Sequence, residues 1–498
     1  MSQRLKSNPT EQRIFYPSFD GGLNLSVPSE SLARNELKEA VNVELSASTG
    51  AMTVRGGLFH HCQTGTEVEG VAALPGKRGF LLRGFYKYSA GTWKELDKIF
   101  TWNRLEEVIG TLTVNDEISI AEWDGDYLVA SGGKLQKLKT RNTLELETIE
   151  SSPSRCRQVF VKSGRAGVVT DDNRIIFSGV GDCEEWTNAP DDESTAQYLE
   201  VGYKDGMNIT AVVPLSRDLI VFKSPEGEPD KGTIFRITGD YPEWTVIEAA
   251  HNIGTFSRKS VQAVGNDVYF ATVSGLASLS AVTSYGEIQA QWPDRKVSAA
   301  LTRILSADAE LWNIPVKQQL WLKAHKGTRE IWVYDYRAGI WTTYEFPGEV
   351  KYADGSSDAL YLIIGTSIYE LVDGKVTDTN DTRSREVAIK GKLRMGTLLT
   401  GNQALIRRCF VSFGIQPECG AELKVGGFRM QFSHDTERRY IYGDETYASE
   451  SEDKLIDTEK TVTSRRMCIV RGWSLTPKVE MTGGGCALST MGFELSEV

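Results

Sequence analysis

Short paired strands that need cover on both faces constrain this chain more than any other feature. In Val316–Tyr344, VKQQLWLKAHKGTREIWVYDYRAGIWTTY, the runs Gln318–Lys323 and Glu330–Tyr336 are rich in β-branched and aromatic residues and flank the turn His325-Lys326-Gly327-Thr328, the pattern of a β-hairpin. Leu320 and Leu322 lie on one face with Trp321 on the other; Ile331 and Val333 oppose Trp332 and Tyr334. An antiparallel hairpin that is apolar on both sides suits a radially stacked blade or a sandwich interior better than a sheet with one wet face.

The same phrase recurs along the chain. Asp126–Ala130 turns at Gly132-Gly133, and Arg165–Val169 turns at Asp171-Asp172-Asn173 to return as Arg174–Ser178. Asp218–Phe222 returns as Thr233–Ile237, Asp267–Ala271 as Leu276–Ser280, and Asp358–Ile364 as Ser367–Leu371, while Gly79–Tyr88 turns at Ala90-Gly91 towards Trp93. The starts are spaced by roughly 40 to 53 residues, the interval of four-stranded propeller blades. The expected fold is therefore all-β: a β-propeller of about six to seven blades over residues 59–376, preceded by an N-terminal arm and cap over 1–58 and followed by a β domain over 377–498. Blades of this kind cannot cover their own faces, so the aromatic residues are expected between neighbours.

Composition narrows function. With 498 residues, 40% hydrophobic and 25% charged, the chain has the makings of a globular core. No run of about 18 apolar residues occurs and the start, MSQRLKSNPTEQR, is polar, so neither a spanning helix nor a secretory leader is expected and synthesis in the cytoplasm follows. Seven scattered cysteines without a C-x-x-C pair argue for reduced, buried thiols over a disulfide framework or a zinc ribbon. A formal charge of −11 disfavours tight nucleic-acid binding, which draws on clustered Lys and Arg, without excluding DNA that passes nearby.

Ser31–Ala40 reads as the best helix signal in the chain, a Ser cap ahead of Leu32, Glu36, Leu37 and Ala40. Asn42–Leu45 and Met52–Arg55 are expected to pair across Ser46–Gly50. The stretch GGLNLSVPSESLARNE, the segment Val41-Asn42-Val43, the turn ending at Gly50 and then Val54-Arg55-Gly56-Gly57 resemble the opening of podophage tail nozzle, or tail tubular, proteins, a group that includes the packaged-DNA stabilisation protein of P22-like phages. Two further phrases are similar to phage propeller proteins: Asn173–Trp186, NRIIFSGVGDCEEW, and Val261–Thr272 followed by Ser274-Gly275-Leu276. The resemblance spans most of residues 19–375. It implies a structural virion subunit, not an enzyme, that forms a homohexameric ring at the distal end of a short tail. Such a ring meets the portal–adaptor complex and tail fibre or needle proteins, lines the exit channel for double-stranded DNA without reading its sequence, and helps retain the genome until ejection.

Beyond Asp373-Gly374 the texture changes. Strand-like runs at Val387–Arg394, Leu405–Phe413, Leu423–Phe432, Met467–Leu475 and Ala487–Leu495 are broken by polar inserts. The insert 444–460, DETYASESEDKLIDTEK, is strongly acidic and poor in core formers, the composition of a mobile or partner-ordered loop. Asp444, Glu445, Glu450, Glu452 and Asp453 are its candidates for a channel or gate loop. Three arginine doublets, Arg407-Arg408, Arg438-Arg439 and Arg465-Arg466, are candidate contacts to a neighbouring subunit or to a DNA backbone, with salt bridges to the acidic inserts as the plainer role.

No catalytic constellation or cofactor motif emerges. His60-His61-Cys62 lacks a carboxylate at ligand spacing, and adjacent strand residues face opposite ways, so surface or subunit-contact roles are expected. The paired aspartates at 171–172, 124–126 and 378–381 sit where turns use Asp to bond their own backbone. Ser89–Trp93 has the outline of a sialidase Asp-box but lacks its aspartate. Two other classes stay open: a propeller that binds a receptor or protein through its rim loops, and a propeller glycosidase, whose carboxylate separation the sequence does not give.

Overall fold

The computed structural model describes residues 11–64, 67–74, 79–87, 93–101, 104–113, 117–141, 144–189, 191–285, 292–355, 359–379, 386–415, 417–426, 428–433, 437–442, 445–450 and 460–497. The turn at Ala90-Gly91 and most of the Ser89–Trp93 motif lie outside this set. The chain divides into two compact units. One holds residues 61–329 and 347–370; the other holds 1–60, 330–346 and 371–498.

The first unit is a propeller-like succession of antiparallel sheets. Four have four strands each in chain order: Glu67–Ala73 to Arg104–Glu107, Ser119–Trp123 to Glu145–Thr148, Cys156–Lys162 to Gln197–Glu200, and Asn208–Leu215 to Thr245–His251. The fifth has three strands, Val261–Val264, Asp267–Thr272 and Gly275–Ser278, and the chain then enters the helices Leu279–Tyr285 and Ser298–Ile304. The expected return to Ser280 is thereby shortened. The sixth and seventh begin with the hairpins Glu310–Ile314/Gln319–Lys323 and Val350–Asp354/Leu360–Ile364. From the first sheet to the seventh, each sheet's opening strand packs beside the opening strand of the next, which is how blades share an axis.

Burial explains the arrangement. Along Asp126–Ala130, Tyr127 and Val129 join a cluster with Leu81 of the first sheet, while Leu128 and Ala130 join Val159, Ala166 and Val168 of the third. Along Asp218–Ser224, Leu219 and Val221 pack with Phe160 and Phe177, and Ile220 and Phe222 with Val268 and Phe270. Each strand feeds two cores, so each blade is covered only by its neighbours. Trp321 is likewise fully buried between Leu320 and Leu322, also fully buried.

The second unit is assembled from distant segments. Its largest sheet runs Glu330–Asp335, Ile340–Glu345, Glu36–Val41, Lys390–Met395, Lys478–Thr482, Gly420–Val425, Phe428–Ser433, Glu437–Tyr442 and Glu445–Glu450. Another pairs Glu11–Tyr16, Ala487–Glu497, Leu398–Ile415 and Lys460–Leu475, with the hairpin Val43–Leu45/Met52–Val54 at its edge. That hairpin matches the expected pairing across Ser46–Gly50.

Two expectations fail here. Ser31–Ala40 is not a helix: a single 3₁₀ turn spans Ser29–Ser31 and a strand spans Glu36–Val41. The strand lies between Gly22–Leu23 and Ile340–Glu345, both parallel to it, and the antiparallel Lys390–Met395. Leu37 and Ala40 are buried there, so ladder bonds and packing override a weak local helix preference. The acidic insert is not simply a loop either. Glu445–Glu450 pairs with Glu437–Tyr442, with Tyr440 opposite Tyr447 and Ile441 opposite Thr446. Tyr440, Ile441 and Tyr442 on one strand and Thr446 and Tyr447 on the other give the β-preference that the surrounding charge obscured.

Candidate functional site

Asn42 and Arg55 carry part of the nozzle resemblance, and the fold brings both to one buried hub. Asn42 adopts a left-handed backbone (φ 54°), a conformation Asn tolerates better than most residues. Its Oδ1 accepts from the Glu345 N–H at 2.8 Å and from Arg55 Nε at 3.1 Å, while its Nδ2 donates to the Lys390 carbonyl at 3.0 Å. The Arg55 side chain is 1% exposed. Its Nη1 and Nη2 donate to the two Asp378 oxygens at 3.0 and 2.8 Å, a bidentate pair. They also reach the Gly56 and Glu345 carbonyls, and the guanidinium lies 4.7 Å over the Phe346 ring.

Asp378 Oδ1 further accepts from the Leu58 N–H. Sequence reasoning placed Asp378 in a turn; it ends as the counter-charge of a buried arginine, a pairing across more than 300 residues that no local pattern announces. Gly56 and Gly57 complete the hub by close approach. A Cβ at Gly56 would stand 2.4 Å from the Val372 carbonyl oxygen and one at Gly57 2.1 Å from that of Thr377. The hydrogen bonds of the hub run to internal partners, the pattern of a structural lock.

The propeller unit holds a cavity of about 1130 Å³ lined by the opening strands of the second to seventh sheets. Polar side chains bridge these strands. Ser119 Oγ donates to the Val159 carbonyl and accepts from its N–H. Gln158 bonds both the carbonyl and the N–H of Val212, and Gln262 Nε2 donates to the Leu311 carbonyl. Backbone groups at the axial edge are satisfied by the neighbouring blade.

Among the described residues the cavity wall carries five acids (Glu117, Glu122, Asp308, Glu310, Glu349) and five bases (Arg258, Lys259, Lys323, Lys326, Lys351). Several are paired: Arg258 and Lys259 with Glu117 at 3.4 and 3.3 Å, Lys323 with Glu349 at 3.0 Å and Glu310 at 3.7 Å. Burial pushes the Glu310 carboxyl up. Burial also pushes Glu349 up, but the Gly327 N–H and Lys323 outweigh it and hold that carboxyl below its usual range. Among the described residues this wall balances acids against bases and carries no strong net charge of either sign.

The other singled-out residues are dispersed. Arg407 and Arg408 lie on Leu398–Ile415, and pairing with Lys460–Leu475 sets Met467 opposite Arg408, Arg466 opposite Cys409 and Arg465 opposite Phe410. Two doublets thus meet on adjacent strands. Arg408 Nη1 contacts Glu494 at 3.2 Å, an acid that Arg13 also reaches at 3.3 Å; its described partner is therefore not an acidic insert. Arg438 and Arg439 sit on the other large sheet, opposite Ser449 and Ala448. Glu445 and Glu450 are strand residues, while Asp444, Glu452 and Asp453 fall outside the described residues.

His60 and His61 are not surface residues. His60 is buried, and His61 Nε2 meets Glu370 at 2.8 Å beside the Tyr361 ring. Of the described cysteines, Cys156, Cys183, Cys409, Cys419 and Cys486 are buried and Cys62 is half-buried. Among the described residues no group of three His, Cys, Asp or Glu could hold a metal ion, and no helix is long and apolar enough to cross a membrane.

No protein-family model and no curated protein matches the chain. Solved structures similar to it include the WD40 β-propeller domain of Doa1 (11% identity, TM-score 0.35, covering 64% of this chain and 95% of that one). The computationally designed Ika8 protein is also similar (12%, TM-score 0.37, 67% and 96%), as is BamB from Moraxella catarrhalis (10%, TM-score 0.34, 64% and 96%).

Proposed function

We propose that the chain is a structural, non-enzymatic subunit of a podophage tail nozzle, assembled in the host cytoplasm and carried in the virion. One observation carries the reading. The residues behind the resemblance, Asn42, Arg55, Gly56 and Gly57, are consumed in tying the N-terminal stretch to segments 343–346 and 372–390. Shared architecture, not shared chemistry, is what such a motif preserves. The matched charges of the propeller cavity agree with a scaffold.

In this reading six copies form a ring on the portal–adaptor complex, next to tail fibre or needle proteins, and DNA leaves through the assembled tube instead of the propeller cavity. At −11 per chain, six copies carry 6 × −11 = −66, and an acidic tube repels phosphate, so DNA slides without sticking. Glu445 and Glu450 on their hairpin are proposed channel-facing acids, and the paired arginine doublets at 407–408 and 465–466 are proposed subunit contacts. The test is to mix the purified chain with adaptor-containing tails and image the product. Sixfold rings at the distal end are expected; a chain that stays unassembled beside intact adaptors overturns the reading.

A further inference from the structure

A second cavity, about 390 Å³, opens on the propeller unit away from the axial one. Three connections border it: the turn after Cys156–Lys162, the link between Arg174–Phe177 and Gln197–Glu200, and the turn before Thr245–His251. These are first–second and third–fourth connections of neighbouring four-stranded sheets, which an antiparallel meander delivers at one end. Ser163 (φ 52°) and Gly164 (φ 72°) form the tight two-residue turn that exposes the Ser163 hydroxyl there.

The cavity combines three chemistries. Trp244 and Tyr241 form an aromatic wall, with Trp244 4.8 Å from the Phe177 ring and 5.5 Å from Tyr241. Arg165 lies buried at its side, its Nη1 donating to the Ser178 and Thr195 carbonyls at 2.7 and 2.6 Å and its Nη2 to the Glu193 carbonyl. These partners are neutral, and Arg165 forms no ion pair with a carboxylate of the described residues. Burying a cation among carbonyls alone is costly unless something compensates the charge. At the rim, Asp240 accepts from Lys162 and Ser163, which together hold an acceptor and donors in place.

We propose that this cleft binds a carboxylate-bearing pyranose, one hexuronic-acid unit of an acidic polysaccharide. A pyranose face stacks on Trp244, its carboxylate neutralises Arg165, and its hydroxyls use Asp240 and Ser163. A purely anionic ligand would be repelled by Asp240, and a neutral sugar would leave Arg165 uncompensated. The volume is of the size that holds a single small ligand. The inference needs only the propeller unit and stands whether or not the chain builds a tail.

The test uses the full chain with short oligoglucuronate, against cello-oligosaccharide of equal length as the neutral control, by saturation-transfer NMR and calorimetry. Binding of the oligoglucuronate at least about tenfold tighter than the neutral oligomer is expected from a charge-assisted pair. Trp244→Ala should abolish binding of both. Because Trp244 also packs on Phe177, a second variant avoids the core: Val180, 55% exposed at the rim, changed to Glu should repel the oligoglucuronate at least fivefold. Equal affinity for charged and neutral oligomers, no binding of the oligoglucuronate, tighter binding of a polyglutamate peptide, or an unaffected Val180→Glu variant would each overturn the proposal.

Discussion

The two units of this chain cover their sheets in opposite ways. In the propeller unit a strand is covered by neighbours from adjacent sequence. Leu128 and Val129 each enter a different inter-sheet cluster, and no single contact dominates. In the other unit, strands more than 300 residues apart are joined, and the junction concentrates on Arg55, Asn42 and Asp378. Stability is spread among nearest neighbours in the first and focused on a polar lock in the second. A repeat can lose one contact and keep its shape, whereas a lock cannot.

The sharpest way to break this comparison is Arg55→Ala. It leaves Asp378 buried without its partner, and such losses cost about 3–5 kcal/mol. Hydrogen exchange should show the Glu36–Val41 and Lys390–Met395 amides losing protection while the second to fourth sheets keep theirs. Uniform loss across both units would mean that they do not differ in the way described.

Asp294 gives the next effect and lies inside the propeller unit. It is fully buried, accepts from the Leu276 N–H at 3.0 Å, and burial raises its pKa from 3.8 to about 7. Folded, it holds a proton that the unfolded chain releases at about 3.8, so stability falls as pH rises from 4 towards 7 and levels off above. The loss is of order 2–4 kcal/mol. Urea unfolding at pH 4.5 and 7.5 should show a smaller pH difference for Asp294→Asn than for the parent chain; equal differences would remove Asp294 as the cause.

Leu128→Ala sharpens the contrast from the repeat side. A buried leucine truncated between the second and third sheets should cost about 2–3 kcal/mol, and exchange should quicken chiefly in those two sheets. The smallest effect is expected from Arg408→Ala. Its guanidinium is half exposed, and the buried Glu494 it contacts keeps Arg13 as a second partner, so a loss of about 1 kcal/mol or less is expected. A larger shift in the denaturation midpoint would make that arginine part of the lock.

Legibility in the sequence followed the same division. The hairpins at Asp126–Ala130, Arg165–Val169, Asp218–Phe222 and Asp267–Ala271 could be read directly, because alternation and turn residues are local signals. The hairpin across Ser46–Gly50 was legible for the same reason. The strand Glu36–Val41 was not: its partners come from residues 22, 340–345 and 390–395, and a weak helix pattern is all its own residues offer. Nor was the strand Glu445–Glu450 legible, because Tyr447 and Thr446 stand among acids.

The candidate sites were less legible still. Asn42 and Arg55 could be singled out in the resemblance, but Asp378 read as turn chemistry. The arginine doublets looked equivalent until strand register brought two of them together and left Arg438-Arg439 on another sheet.

By itself the sequence determined that strands apolar on both sides recur at blade spacing, since the alternation of side chains along a strand is a property of a few consecutive residues. Only the tertiary structure decided which buried charge meets which, where the axial cavity finds its matched acids and bases, and that Trp244 stands beside Arg165. Those outcomes depend on where distant backbones come to rest, and a desolvated charge or a cleft between turns exists only after they have done so.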